Sequence, residues 1–83
     1  MAASENLKYY LKNELGNKRA EMGISQEKMA EILDISLRSY SNLEHGKYCC
    51  SLPAFINYVN NCEVDKDKLF SEVGEILKNN DKS

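Results

Sequence analysis

With 83 residues, 42% of them hydrophobic and 29% charged, the chain is too apolar for a disordered segment and too short for more than one domain, so a single domain over residues 1–83 is expected. Its apolar runs, such as Ala54-Phe55-Ile56, fall far short of the ~20 residues that cross a bilayer. Met1 to Leu11 lacks the apolar stretch of a secretory signal, so a cytoplasmic location is expected. A net charge of −2, from 11 basic and 13 acidic residues, excludes a polycation drawn to nucleic acid or anionic lipid by charge alone.

Breakers arrive at helix-length intervals and no stretch alternates with period two, which predicts an all-α chain of five helices. Ser4 before Glu5 reads as the first N-cap, and Leu7, Leu11, Leu15 and Met22 follow the helical period until Gly23. Gly16 weakens that helix by about 1 kcal/mol. Ser25 caps the second helix, with Lys28 where a full capping box carries Glu, and Met29, Ile32 and Leu33 form its inner face. Only Asp34 and Ile35 separate it from a cap at Ser36, whose helix turns Tyr40 and Leu43 inward and stops at His45-Gly46. Ser51 caps the fourth helix, with Pro53 in its first turn and Leu52, Phe55, Ile56, Val59 and Cys62 along one side. Asp65 caps the fifth, whose stripe of Leu69, Phe70, Val73, Ile76 and Leu77 precedes a polar tail at residues 79–83.

Chemistry-bearing constellations are sparse. The three cysteines, Cys49, Cys50 and Cys62, are odd in number, and the first two are adjacent, a geometry that strains a mutual disulfide. With His45 they lack the paired spacing of a zinc site. A single histidine and the absence of a Gly-rich phosphate loop argue against catalysis, so neither enzyme activity nor a cofactor, metal or small-molecule ligand is expected. Oxidation at Cys49 and Cys50 beside Lys47 is one reading of these thiols, inert cytosolic thiols the alternative, and Cys62 reads as core.

Two short helices meeting at a tight turn have the geometry of a helix-turn-helix, whose second helix can enter the major groove. The residues run Lys18-Arg19-Ala20-Glu21-Met22-Gly23-Ile24-Ser25-Gln26-Glu27, then Met29-Ala30, Ile35-Ser36, and Ser39-Tyr40-Ser41-Asn42-Leu43-Glu44-His45-Gly46-Lys47. This pattern resembles the phage repressor and Cro family, the Xre-type helix-turn-helix domain, over roughly residues 11 to 72. The resemblance implies a compact five-helix bundle of the lambda-repressor-like type, with Ala30 small where the two motif helices cross. It implies a partly buried salt bridge between Arg19 and Glu44, and base reading by Leu37, Arg38, Ser41 and Asn42. Arg38 suits guanine and Asn42 suits adenine, each in a bidentate pair. Leu37 replaces the usual polar residue and fits either a thymine methyl or a protein surface. Gln26, Ser39, His45, Lys47 and Tyr48 fall near the sugar-phosphate backbone by the same resemblance; a solvated surface side chain is the alternative for Gln26 and for Arg38.

Residues 25 to 50 carry three basic and four acidic side chains, a net −1. So weak a field predicts that double-stranded DNA is bound by two copies on two half-sites. Phe70, Val73, Ile76 and Leu77 are the candidates for the homodimer contact, with completion of the core as the alternative. The expectation is a sequence-specific transcriptional regulator, acting as a homodimeric repressor; the alternative is an interaction module or antagonist of another regulator built on the same fold.

Overall fold

The computed structural model describes residues 2–81, and the side-chain surroundings of residues 5–78. Five helices follow one another: α1 Ala2–Met22, α2 Gln26–Leu33, α3 Leu37–Glu44, α4 Leu52–Asn61 and α5 Lys66–Asp81. The chain is all-α, with no strand among the described residues. No helix of the described residues is long and apolar enough to cross a membrane.

Four N-terminal caps set the helix starts. The Ser25 hydroxyl accepts from the Lys28 amide at 3.0 Å, Ser36 from Ser39 at 3.0 Å, Ser51 from Ala54 at 3.3 Å, and the Asp65 carboxylate from Lys68 at 3.1 Å. Each satisfies one amide that the first turn leaves without a partner. The first helix departs from expectation, because it begins at Ala2 and so contains Ser4 instead of starting after it. Ala2 and Ala3 are the best helix formers available and carry the helix outward past that serine. At the other end of the chain, α5 runs on to Asp81, into the expected polar tail, and residues 82 and 83 lie outside the described residues.

Three helix ends use one device, a residue in the left-handed region flanked by two return hydrogen bonds. After α1, Gly23 (φ 66°) donates to the Ala20 carbonyl and Ile24 to that of Arg19. After α3, Gly46 (φ 72°) donates to Leu43 and Lys47 to Asn42. Between α2 and α3 the same role falls to Asp34 (φ 59°), with Ile35 donating to Ala30 at 3.0 Å. A non-glycine residue there carries about 1–2 kcal/mol of steric strain, less for aspartate. Asp34→Gly is therefore expected to leave the turn intact and raise stability by up to about 1 kcal/mol after its added unfolded-state entropy, measured by urea denaturation. A loss of stability would show that the Asp34 side chain supports the turn.

The core is formed by Leu11 and Leu15 of α1, Met29, Ala30 and Leu33 of α2, Tyr40 and Leu43 of α3, Ala54, Tyr58 and Val59 of α4, and Cys62 and Leu69. Ala30 is buried and its carbonyl receives the Ile35 amide, so it stands at the junction of α2 with the turn. Ile32 is half-buried and packs against this core. Met22, expected on the inner side of α1, is instead exposed. On α4 the buried side also differs from expectation: Leu52 is 69% exposed and Ile56 46% exposed, while Ala54 and Tyr58 turn inward. Tyr58 directs the phase because its hydroxyl, at the end of a buried ring, reaches the Glu14 carboxylate of α1 at 2.6 Å. Two α4 side chains then hold the end of α2, with Asn57 donating to the Leu33 carbonyl at 3.0 Å and Asn61 to that of Ile32 at 3.2 Å. These bonds fix the frame on which α2 and α3 are presented.

Candidate nucleic-acid interface

α3 is eight residues long, with Tyr40 and Leu43 buried on one side. At about 100° per residue, Leu37, Arg38, Ser41, Asn42 and His45 share an outward arc of about 140° on the opposite side. Leu37, Arg38 and His45 are exposed, while Ser41 and Asn42 are half-buried. Arg38 makes no ion pair among the described residues, so its guanidinium keeps its donors available. His45 folds back along the helix, its Nδ1–H donating to the Ser41 carbonyl at 2.7 Å, which leaves Nε2 as its outward atom.

α3 is anchored to α1 and α2 through one carboxylate. Glu44 accepts from Arg19 Nε at 2.5 Å and Nη2 at 3.2 Å, from Gln26 Nε2 at 2.8 Å, and from the Tyr40 hydroxyl at 2.5 Å. Two bonds to each oxygen fill the capacity of the group. Burial by itself would raise the Glu44 carboxyl, but the hydrogen bonds from Arg19, Tyr40 and Gln26, with the Arg19 charge, outweigh it and bring the pKa down to about 2. Burial and then the bond to Glu44 push the Tyr40 phenol well above its usual range. Arg19 also donates to the Ile24 carbonyl at 3.0 Å, tying the α1–α2 connection into the same cluster.

Gln26 thus has a partner that sequence reasoning did not supply. It is neither simply solvated nor wholly free for a ligand, since one amide hydrogen is committed to Glu44 and the second remains. Ser39 is exposed and its hydroxyl oxygen accepts from Ser36 at 3.0 Å, which leaves its own proton to be donated outward. Lys47 and Tyr48 are both exposed, and the Lys47 ammonium stands 5.7 Å from the Tyr48 ring centroid. Burial raises the Cys50 thiol to about 12, which disfavours a reactive thiolate there, whereas its neighbour Cys49 is exposed. Among the described residues no group of three His, Cys, Asp or Glu side chains gathers around a possible metal position.

Two further residues of α1, which no motif places there, reach this region. A β-carbon at Gly46 would stand 2.9 Å from Lys12 Cδ and 3.7 Å from Tyr9 Cε1, so both side chains lie across the end of α3. Their approach depends on how α1 packs, which no local motif records. The candidates on α5 separate into two kinds: Phe70 (52% exposed) and Leu77 are exposed, while Val73 and Ile76 are half-buried and Val73 packs against the core. The Phe70 ring meets Phe55 edge-on at 6.0 Å. With Leu52 and Ile56 of α4, Phe70 and Leu77 leave four large apolar side chains exposed on these two helices.

The family model of a helix-turn-helix domain matches residues 13–75. Neither the curated proteins nor the solved structures contain a match.

Proposed function

The chain belongs to a helix-turn-helix domain family, and from that premise we propose that it is a sequence-specific, double-stranded DNA-binding regulator of the phage repressor and Cro type, acting as a homodimeric repressor. The observation that carries this reading is the outward arc of α3, where an Arg38 without an ionic partner among the described residues stands beside Asn42 on a helix held by Glu44. Arg38 pairs with guanine O6 and N7, and Asn42 with adenine N6 and N7. Leu37 packs on a thymine methyl. Ser41 completes the base-facing set. The second amide hydrogen of Gln26, at the positive end of α2, and the outward proton of Ser39 meet backbone phosphates, with His45, Lys47 and Tyr48 beyond them. Exposed Phe70 and Leu77 support pairing of two copies, which places two α3 helices on successive major grooves.

Titration of a random-sequence duplex against salt tests the class of function. Affinity should fall at least about tenfold between 50 and 200 mM salt, because each neutralised phosphate contributes a log–log slope of about −0.9. Selection from a random pool should then return two half-sites about 10 base pairs apart. In Arg38→Ala, discrimination at one guanine position should drop by about 1–3 kcal/mol while non-specific affinity changes less. Unchanged selection by that variant removes Arg38 from base reading. No duplex binding at low salt favours the second reading, a protein-interaction module, for which the exposed apolar side chains of α4 and α5 and Leu37 are the supporting observation.

A further inference from the structure

The geometry points to α1 as a contributor to the duplex-facing surface: Lys12, together with Lys47, forms a phosphate-binding pair just beyond the C-terminal end of α3. This inference rests on the duplex-binding reading and adds a residue outside the helix-turn-helix unit itself. Lys8, Tyr9, Lys12 and Arg19 recur along one side of α1 at helical spacing. Arg19 fixes that side against α3 through Glu44. Two turns earlier, the Lys12 stem crosses Gly46, where a β-carbon would meet its Cδ at 2.9 Å. Gly46 is followed directly by Lys47, so α1 delivers a second ammonium group to the loop that already carries one.

The ion pairs leave the same residues available. Lys8 is paired with Glu5, Lys18 with Glu21, Lys28 with Glu31 and Arg19 with Glu44. Among the described residues, the cations left without a carboxylate are Lys12, Arg38 and Lys47, together with Lys66, Lys68 and Lys78 on α5. Of these, Arg38 lies on the outward arc of α3, and Lys12 and Lys47 lie at its end. A cation without a carboxylate partner meets a phosphate without first giving up an ion pair, and each phosphate neutralised adds to the salt dependence. Tyr9, more than half exposed, accompanies Lys12 across Gly46 and adds a hydroxyl donor at the same rim. The negative end of the α3 dipole favours a cation at this end of the helix.

Lys12→Gln, Lys12→Arg and, as a control cation on α5, Lys66→Gln separate a phosphate contact from simple packing. The probe is a random-sequence duplex titrated by fluorescence anisotropy over about 50–200 mM salt, alongside thermal unfolding of each full-length variant. Lys12→Gln should bind about 3- to 10-fold more weakly, with the salt slope shallower by about 0.9 per bound protomer. Lys12→Arg should restore the slope, and Lys66→Gln should match the wild type. Wild-type binding with an unaltered slope in Lys12→Gln, whether or not its melting temperature falls, overturns this inference and leaves the duplex-binding reading standing. Absence of wild-type binding at the lowest salt overturns both.

Discussion

Glu44→Ala is expected to lower stability by about 2–4 kcal/mol, in contrast to less than about 0.5 kcal/mol for the exposed Glu27→Ala. Breaking a well-buried ion pair costs about 3–5 kcal/mol; here the Glu44 side chain is 12% exposed and that of Arg19 28%, so Arg19 regains some water when its partner is removed. Part of the loss falls on Tyr40, a fully buried ring whose hydroxyl then loses its acceptor. For a domain of this size, each kcal/mol moves the melting temperature by about 4–8 °C, so the two variants are readily separated by thermal unfolding. Equal, small shifts would show that the cluster does not hold α3.

The same carboxylate gives the wild type a defined acid response. Its pKa is about 2 in the folded chain, below the unfolded value of about 4.3, so the unfolded state binds the extra proton. The stabilisation is complete above about pH 4.3 and is lost as pH falls toward 2, a change of about 3 kcal/mol. Glu31, held below its ordinary value chiefly by its hydrogen bond from Lys28, contributes in the same direction. Urea denaturation at several pH values should show this loss in the wild type and a flatter profile in Glu44→Ala. A parallel decline in both would assign the acid sensitivity to other carboxylates.

Local devices were legible in the sequence. Ser25, Ser36, Ser51 and Asp65 cap their helices, and Gly23 and Gly46 end theirs, because each acts within four residues of its own position. The left-handed Asp34 was less visible, since aspartate tolerates that conformation without requiring it. The phase of α4 was hidden for a different reason. Leu52, Ala54, Phe55, Ile56, Tyr58 and Val59 crowd one short helix with apolar side chains, so helical spacing alone fits more than one buried face. At the candidate site, the outward arc of α3 follows from its own periodicity. The Gln26–Glu44 bond and the passage of Lys12 over Gly46 join residues 18 or more positions apart, and only packing creates them.

Tyr58→Ala is expected to cost about 3–5 kcal/mol, the range for truncating a large aromatic side chain in a core. Tyr58 has no exposed surface, and its removal opens a cavity between α1 and α4 as well as deleting the bond to Glu14. Tyr58→Phe keeps the ring and loses only the hydroxyl; Glu14 is half-buried and can take up water, so a loss of about 1 kcal/mol is expected. The difference between the two substitutions thus measures ring packing apart from the hydrogen bond. A chain of this length has a total stability of roughly 4–12 kcal/mol, so Tyr58→Ala should be substantially unfolded when warmed while Tyr58→Phe stays folded. Because Asn57 and Asn61 flank Tyr58 and hold the last carbonyls of α2, loosening α4 also releases the support of the helix-turn-helix. Hydrogen exchange at the end of α2 should therefore accelerate in Tyr58→Ala and remain slow in Tyr58→Phe. A loss below about 1.5 kcal/mol for Tyr58→Ala would mean that this ring is not what fixes α4 against α1.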